Sequence, residues 1–138
     1  MIVRDVMMQK LVTVSPEWSV SKAIEIMLDE DVSSLLIVDR NERLVGLVTE
    51  SALLVAALDP PLRSDPISLH MERKFVSIGP DDPVGQVVEK FLLHRVRHFP
   101  VVKKHKLVGI VTRRELMRAL LGAKVEICLL YTSDAADE

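Results

Sequence analysis

Leu44-Val45-Gly46-Leu47-Val48-Thr49 returns as Leu107-Val108-Gly109-Ile110-Val111-Thr112, an offset of 63 residues. Upstream, Leu11-Val12-Thr13-Val14-Ser15-Pro16 returns as Phe75-Val76-Ser77-Ile78-Gly79-Pro80 at an offset of 64. The slip of one falls where Asp39-Arg40-Asn41-Glu42-Arg43 faces the shorter Lys103-Lys104-His105-Lys106. Turns tolerate such a change, so the register on either side survives it. Two copies at this period mean a duplicated half-domain rather than a solenoid.

Each copy predicts the same order of elements. A short strand (Leu11 to Val14, Phe75 to Ile78) stops near a proline. An amphipathic helix follows, with Val20, Ala23, Ile24, Met27 and Leu28, and then Val84, Val87, Val88, Phe91 and Leu92, at i, i+3, i+4, i+7 and i+8. Ser19 is the expected N-cap of the first helix, and Asp82 before Pro83 the cap and first position of the second. Two β-rich runs around a polar turn come next, Leu35 to Asp39 with Leu44 to Thr49, and Phe99 to Lys103 with Leu107 to Thr112. A last helix closes each unit, Glu50 to Leu58 before Asp59-Pro60-Pro61, and Arg113 to Leu121 before Gly122. The expected fold is therefore α/β (α+β): tandem βαββα repeats at 1–64 and 65–127, each with a three-stranded sheet. A unit of ~60 residues buries too little of its own surface to be secure alone. The two copies are expected to pack around an internal pseudo-twofold axis, joined through Asp59 to Pro66.

Composition narrows the function classes. Apolar residues make up 49% and charged residues 28%, enough to build a core and too balanced for disorder. No apolar run approaches the ~20 residues of a membrane-spanning helix, and Met1 to Asp5 lacks the layout of a signal peptide, so a cytoplasmic, non-membrane protein is expected. The single Cys128 excludes an internal disulfide, and His94 with His98 lack a third ligand for zinc, so no metal site or resident cofactor is expected. Without a Gly-x-Ser-x-Gly, a P-loop or a Gly-x-Gly-x-x-Gly, an enzyme is the least supported class. Residues 128–138 resemble a translated sequencing adapter and are read as a non-native tail.

The double βαββα order, the Val14-Ser15-Pro16 turn, Phe99-Pro100-Val101-Val102 and above all the two Leu-Val-Gly-hydrophobic-Val-Thr strands resemble the cystathionine beta-synthase (CBS) domain pair, or Bateman module. Ile2-Val3-Arg4-Asp5-Val6-Met7 also resembles the start of stand-alone prokaryotic CBS-pair proteins. The resemblance implies a regulatory module that binds AMP, ADP, ATP or S-adenosylmethionine between the repeats and forms a homodimer.

The resemblance also implies site residues. A threonine at the end of the third strand and an acidic residue three positions later would meet phosphate and ribose. The second copy has Thr112 and Glu115, one methylene longer than the family's usual Asp, whereas the first has Thr49 and Ala52, which leaves no ribose acceptor. At most one competent ribose site is expected. Arg97 and His98 occupy the segment where many CBS pairs contact phosphate. Val12, Thr13 and Pro16, with Ser77, Ile78 and Pro80, fall in the region that supplies backbone contacts and an adenine slot in the family. Residues 1–64 carry 6 basic and 10 acidic groups, and residues 65–127 carry 12 basic and 7 acidic, so charge and motif favour the second copy. The alternatives are a constitutive dimerisation or scaffold module, argued for by Ala52, and nucleic-acid binding through the basic second repeat. Lys103-Lys104-His105-Lys106 is read as a solvated turn because no aromatic accompanies it, and nucleic acid is accordingly a disfavoured partner.

Overall fold

The computed structural model describes residues 1–131 of the chain, with side chains through residue 122. The first copy builds β1 (Thr13–Val14), α1 (Val20–Asp29), β2 (Ser34–Val38), β3 (Leu44–Thr49) and α2 (Glu50–Ala57). The second builds α3 (Val84–Leu93), β4 (His98–Lys103), β5 (Lys106–Thr112) and α4 (Arg113–Tyr131). Strand β1 runs parallel to β2, and β2 pairs antiparallel with β3. In the second copy β4 pairs antiparallel with β5. Its expected first strand is reduced to one parallel bridge, Ile78 with Val101. The ladder stops there because its next donors on either side would be Pro80 and Pro100, which have no N–H, while the Gly79 N–H, pointing away from β4, goes to the Asp82 carboxylate at 2.8 Å.

The same contact overturns the expected cap of α3. Asp82 closes its own turn, and Pro83 occupies the N-cap position without a side-chain hydrogen bond. Ser19 does cap α1, accepting from the N–H of Lys22 at 3.1 Å. Helix α4 continues through Gly122 instead of ending there. A glycine costs a helix about 1 kcal/mol, which does not by itself end one, and no proline follows before Tyr131.

Each copy has its own core. Val14, Val20, Leu35, Ile37, Val48 and Leu53 centre the first, and Val84, Val87, Phe91, Phe99, Val101 and Val111 the second. Phe91 and Phe99 stack with tilted rings 4.5 Å apart. The segments that precede the copies are exchanged between them. Val3, Val6 and Met7 pack on the second core, while Ile67 and Met71 pack on the first. Met8 exchanges both backbone hydrogen bonds with Ile110 on β5, at 2.8 and 3.0 Å, and Glu72 does the same with Leu47 on β3, at 3.0 and 2.7 Å. Each small sheet is thus completed by the arm that leads into the other copy, which is how two half-units too small to stand alone become interdependent.

Of the apolar helix positions expected to be buried, Leu28 and Leu92 are 73% and 81% exposed. They are equivalent residues in the two copies, at the edge of their helices' buried stripes. Leu54 on α2 with Leu58 at its C-cap, and their equivalents Met117 and Leu121 on α4, are likewise exposed.

Candidate ligand-binding site

The ends of β3 and β5 place Thr49 and Thr112 at the start of α2 and α4, and both hydroxyls cap these helices. Thr49 Oγ1 accepts from the N–H of Ala52 at 3.2 Å, and Thr112 Oγ1 from that of Glu115 at 3.0 Å. Threonine suits both roles, because its branched side chain favours the strand and its oxygen serves an orphan donor of the helix.

Around these ends lie three connected clefts. The first, about 230 Å³, is an apolar slot walled by Met8, Leu11, Val12, Val32, Leu36 and Ile110, with Ser34, His98 and Thr112 at its polar end. The slot shares Asp31, Ser33, His98 and Thr112 with a wider basin of about 880 Å³. Glu115 and the cations Arg97, Arg113, Arg114 and Arg118 line that basin. The third cleft, about 290 Å³, is the pseudo-symmetric counterpart of the slot. There Glu72 replaces Met8, Leu47 replaces Ile110, and Thr49, Glu50, Arg95 and Arg97 make a polar lining.

His98 borders all three clefts. Its Nε2 lies 2.9 Å from Ser34 Oγ, its equivalent in the first copy, so this hydrogen bond bridges the two repeats where they meet. Burial lowers the His98 pKa below the usual histidine range, and the neighbouring Arg97 charge lowers it further. A histidine held neutral in the folded state and freer to protonate when unfolded adds stability above its unfolded pKa of about 6.5, and that stability is lost as pH falls. Replacing His98 by Gln should therefore flatten the fall in unfolding free energy between pH 7 and pH 5. Parallel pH profiles of variant and parent would refute this dependence.

Two of the basin's arginines, Arg113 and Arg118, are held by contacts of their own. The N–H of Arg113 donates to the Arg97 carbonyl at 3.0 Å, and its Nη2 donates to the Phe91 carbonyl at 2.9 Å with the guanidinium over the Phe91 ring. Arg118 pairs with the Glu115 carboxylate one helical turn away.

The structure therefore brings together Thr112, Glu115, Arg97 and His98 of the expected residues. Thr49 lies in the counterpart cleft. Thr13, Ser77, Ile78 and Pro80 line none of these three clefts. Ile78 is buried in the second core and the Pro80 carbonyl holds the N–H of Arg4. The slot walls from Met8, Leu11, Leu36 and Ile110 were not expected. Their signal is the repeat itself, which extends upstream: Val3 and Met7 match Ile67 and Met71 at the same 64-residue offset.

The CBS domain family matches this chain twice, at residues 3–59 and 66–122. The chain belongs to the CBS domain family. This CBS pair is 32% identical to an uncharacterized 17.7 kDa protein of Acidianus ambivalens over 113 residues, 81% of this chain and 68% of the relative. Among solved structures, CBSX2 in complex with AMP superimposes with a TM-score of 0.82 at 28% identity, covering 89% of this chain and 98% of the other. The CBS domain pair of MJ0100, in complex with 5'-methylthioadenosine and S-adenosyl-L-methionine, gives 0.78 at 28% identity, covering 90% and 98%. Some relatives are named as enzymes, and there the match is partial: this CBS pair spans 24% of a homoserine O-acetyltransferase of Methanohalobium evestigatum. No helix among the described residues is long and apolar enough to cross a membrane.

Proposed function

We propose that this CBS pair is a regulatory module that senses an adenine nucleotide, held with its base in the apolar slot and its phosphates in the basin. The continuity of slot and basin carries this reading. An apolar slot suits a purine face, Glu115 supplies an acceptor for ribose hydroxyls beside Thr112, and four arginines face the space beyond. The structures of CBSX2 with AMP and of MJ0100 with adenosyl compounds support the ligand class. The arginines favour AMP, ADP or ATP over S-adenosylmethionine, which carries no phosphate. The counterpart cleft, with Ala52 at the acidic position, takes the weaker role.

The signal would run through the Ser34–His98 hydrogen bond. A phosphate near His98 competes with Ser34 for the ring, and a ligand shifts the placement of the repeats only as far as its affinity for the two placements differs. Homodimerisation through the exposed leucines and Met117 of α1 to α4 would transmit that shift. In a thermal-shift assay a nucleotide at 100 times its Kd should stabilise the protein by about 2.7 kcal/mol. AMP, ADP and ATP should each act at lower concentration than adenosine or S-adenosylmethionine. If none shifts the transition while sedimentation still shows a dimer, the sensing role falls and the scaffold reading replaces it.

A further inference from the structure

At the opposite end of both hairpins the two turns meet, some 20 Å along β5 from Thr112 at ~3.4 Å per residue. The N–H of Leu107 donates to the Glu42 carbonyl at 3.3 Å, and Arg43 bridges to Lys106. Between the turns lies a groove of about 400 Å³ lined by Arg40, Asn41, Glu42, Arg43, Lys104 and Lys106. Lys106 also stands directly opposite Lys103 in the β4–β5 register. It therefore faces a like charge on both sides, an arrangement that destabilises paired strands unless something neutralises it. Among the described residues none of Arg40, Arg43, Lys103, Lys104 and Lys106 forms an ion pair. Of the two nearby carboxylates, Asp39 is committed to the N–H groups of Asn41 and Arg43, at 2.8 and 3.0 Å. Five cations thus stand against two carboxylates. The backbone of both turns is left-handed where the groove forms, with positive φ at Glu42, Lys104 and His105.

We infer that this groove is a binding site for a compact oligophosphate, a chain of about three linked phosphates, distinct from the cleft between the repeats. The lining decides the class. It contains no apolar side chain, so it lacks the anchor that a peptide partner needs. It contains no aromatic, so it offers no platform for a nucleic-acid base. What it offers is converging guanidinium and ammonium donors with an Asn41 amide between two turns that bound its length, which suits several phosphate groups on one short chain.

Inorganic tripolyphosphate is the probe, titrated by calorimetry at 50 mM salt. The double variant Lys104→Glu/Lys106→Glu should weaken its binding at least tenfold while leaving AMP binding unchanged. Arg97→Ala, in the inter-repeat cleft, should leave tripolyphosphate binding through the groove unchanged. Raising salt to 200 mM should weaken the groove interaction severalfold, as expected for exposed charges. Equal binding by the double variant would overturn the site, as would loss of tripolyphosphate binding in Arg97→Ala alone. A twenty-residue thymidine oligonucleotide or poly-glutamate that binds the groove more tightly than tripolyphosphate would overturn the ligand class in favour of nucleic acid or an acidic peptide. Melting of the double variant without ligand should be unchanged or raised, since the like-charge contacts of Lys106 are removed, and either result shows that loss of folding is not the cause.

Discussion

Gly46→Ala is expected to lower the unfolding free energy by about 1–3 kcal/mol, and Gly46→Val by more, because overpacking at a buried strand position forces backbone to move. A Cβ at Gly46 would lie 2.7 Å from Met71 Sδ and 2.9 Å from the Glu72 carbonyl oxygen. The thioether can swing aside, but the carbonyl cannot, since it accepts the N–H of Leu47 at 3.0 Å as part of the arm's pairing with β3. Displacing it breaks the contact by which the second copy's leading arm completes the first copy's sheet. Gly109 occupies the equivalent place, where a Cβ would lie 2.6 Å from Met7 Sδ and 3.2 Å from the Met8 carbonyl oxygen, so its replacement should act in the same direction but less strongly. Gly85 is the control. It is exposed in α3, and a Cβ there would meet nothing within 4 Å, so Gly85→Ala should be neutral or stabilise by up to about 1 kcal/mol. Denaturant unfolding gives the comparison, and a Gly46→Ala protein as stable as Gly85→Ala would refute the requirement for close approach.

These glycines also show which part of the fold was legible in the sequence. Hairpins and helices follow from periodicity within each segment, and the two-copy register from the paired Leu-Val-Gly strands. What pads each glycine does not follow, because Met7 and Met71 lie outside the periodic segments and reach the other copy's sheet. Nothing local in Val3 to Met8 names β5 as its partner. The same non-locality hid the slot, whose walls come from an arm, the lead into β1, the start of β2 and β5. The residues legible in advance were those whose chemistry is carried by one short motif: Thr112 with Glu115 after β5, and Arg97 with His98 before β4. Leu28 and Leu92 fit a helical stripe as well as Met27 and Phe91 do, and only the packed structure separates the buried edge from the exposed one.

Glu115→Ala is expected to remove nearly all affinity for AMP. Hydrogen bonds to a charged group contribute about 1.5–3 kcal/mol each, and a carboxylate that holds both ribose hydroxyls would account for a hundredfold or more in Kd. The structural cost of the change is small, because Thr112 still caps the N–H of residue 115 and only an acidic side chain in the first turn of α4 is lost, worth about 0.3–1 kcal/mol. Loss of the Arg118 ion pair works against the expected result, since a freed guanidinium beside the basin could hold phosphate more strongly. The analogues separate the two effects. In the parent, 2'-deoxy-AMP should bind at least tenfold more weakly than AMP. In Glu115→Ala the two should bind alike, and in Glu115→Asp, the shorter acid, the discrimination should return. Thr49→Ala, in the counterpart cleft, should change AMP affinity little. A variant that keeps both its affinity and its preference for the 2'-hydroxyl would show that Glu115 is the first-turn partner of Arg118 and no more, and would move the ribose out of the second copy's side of the cleft.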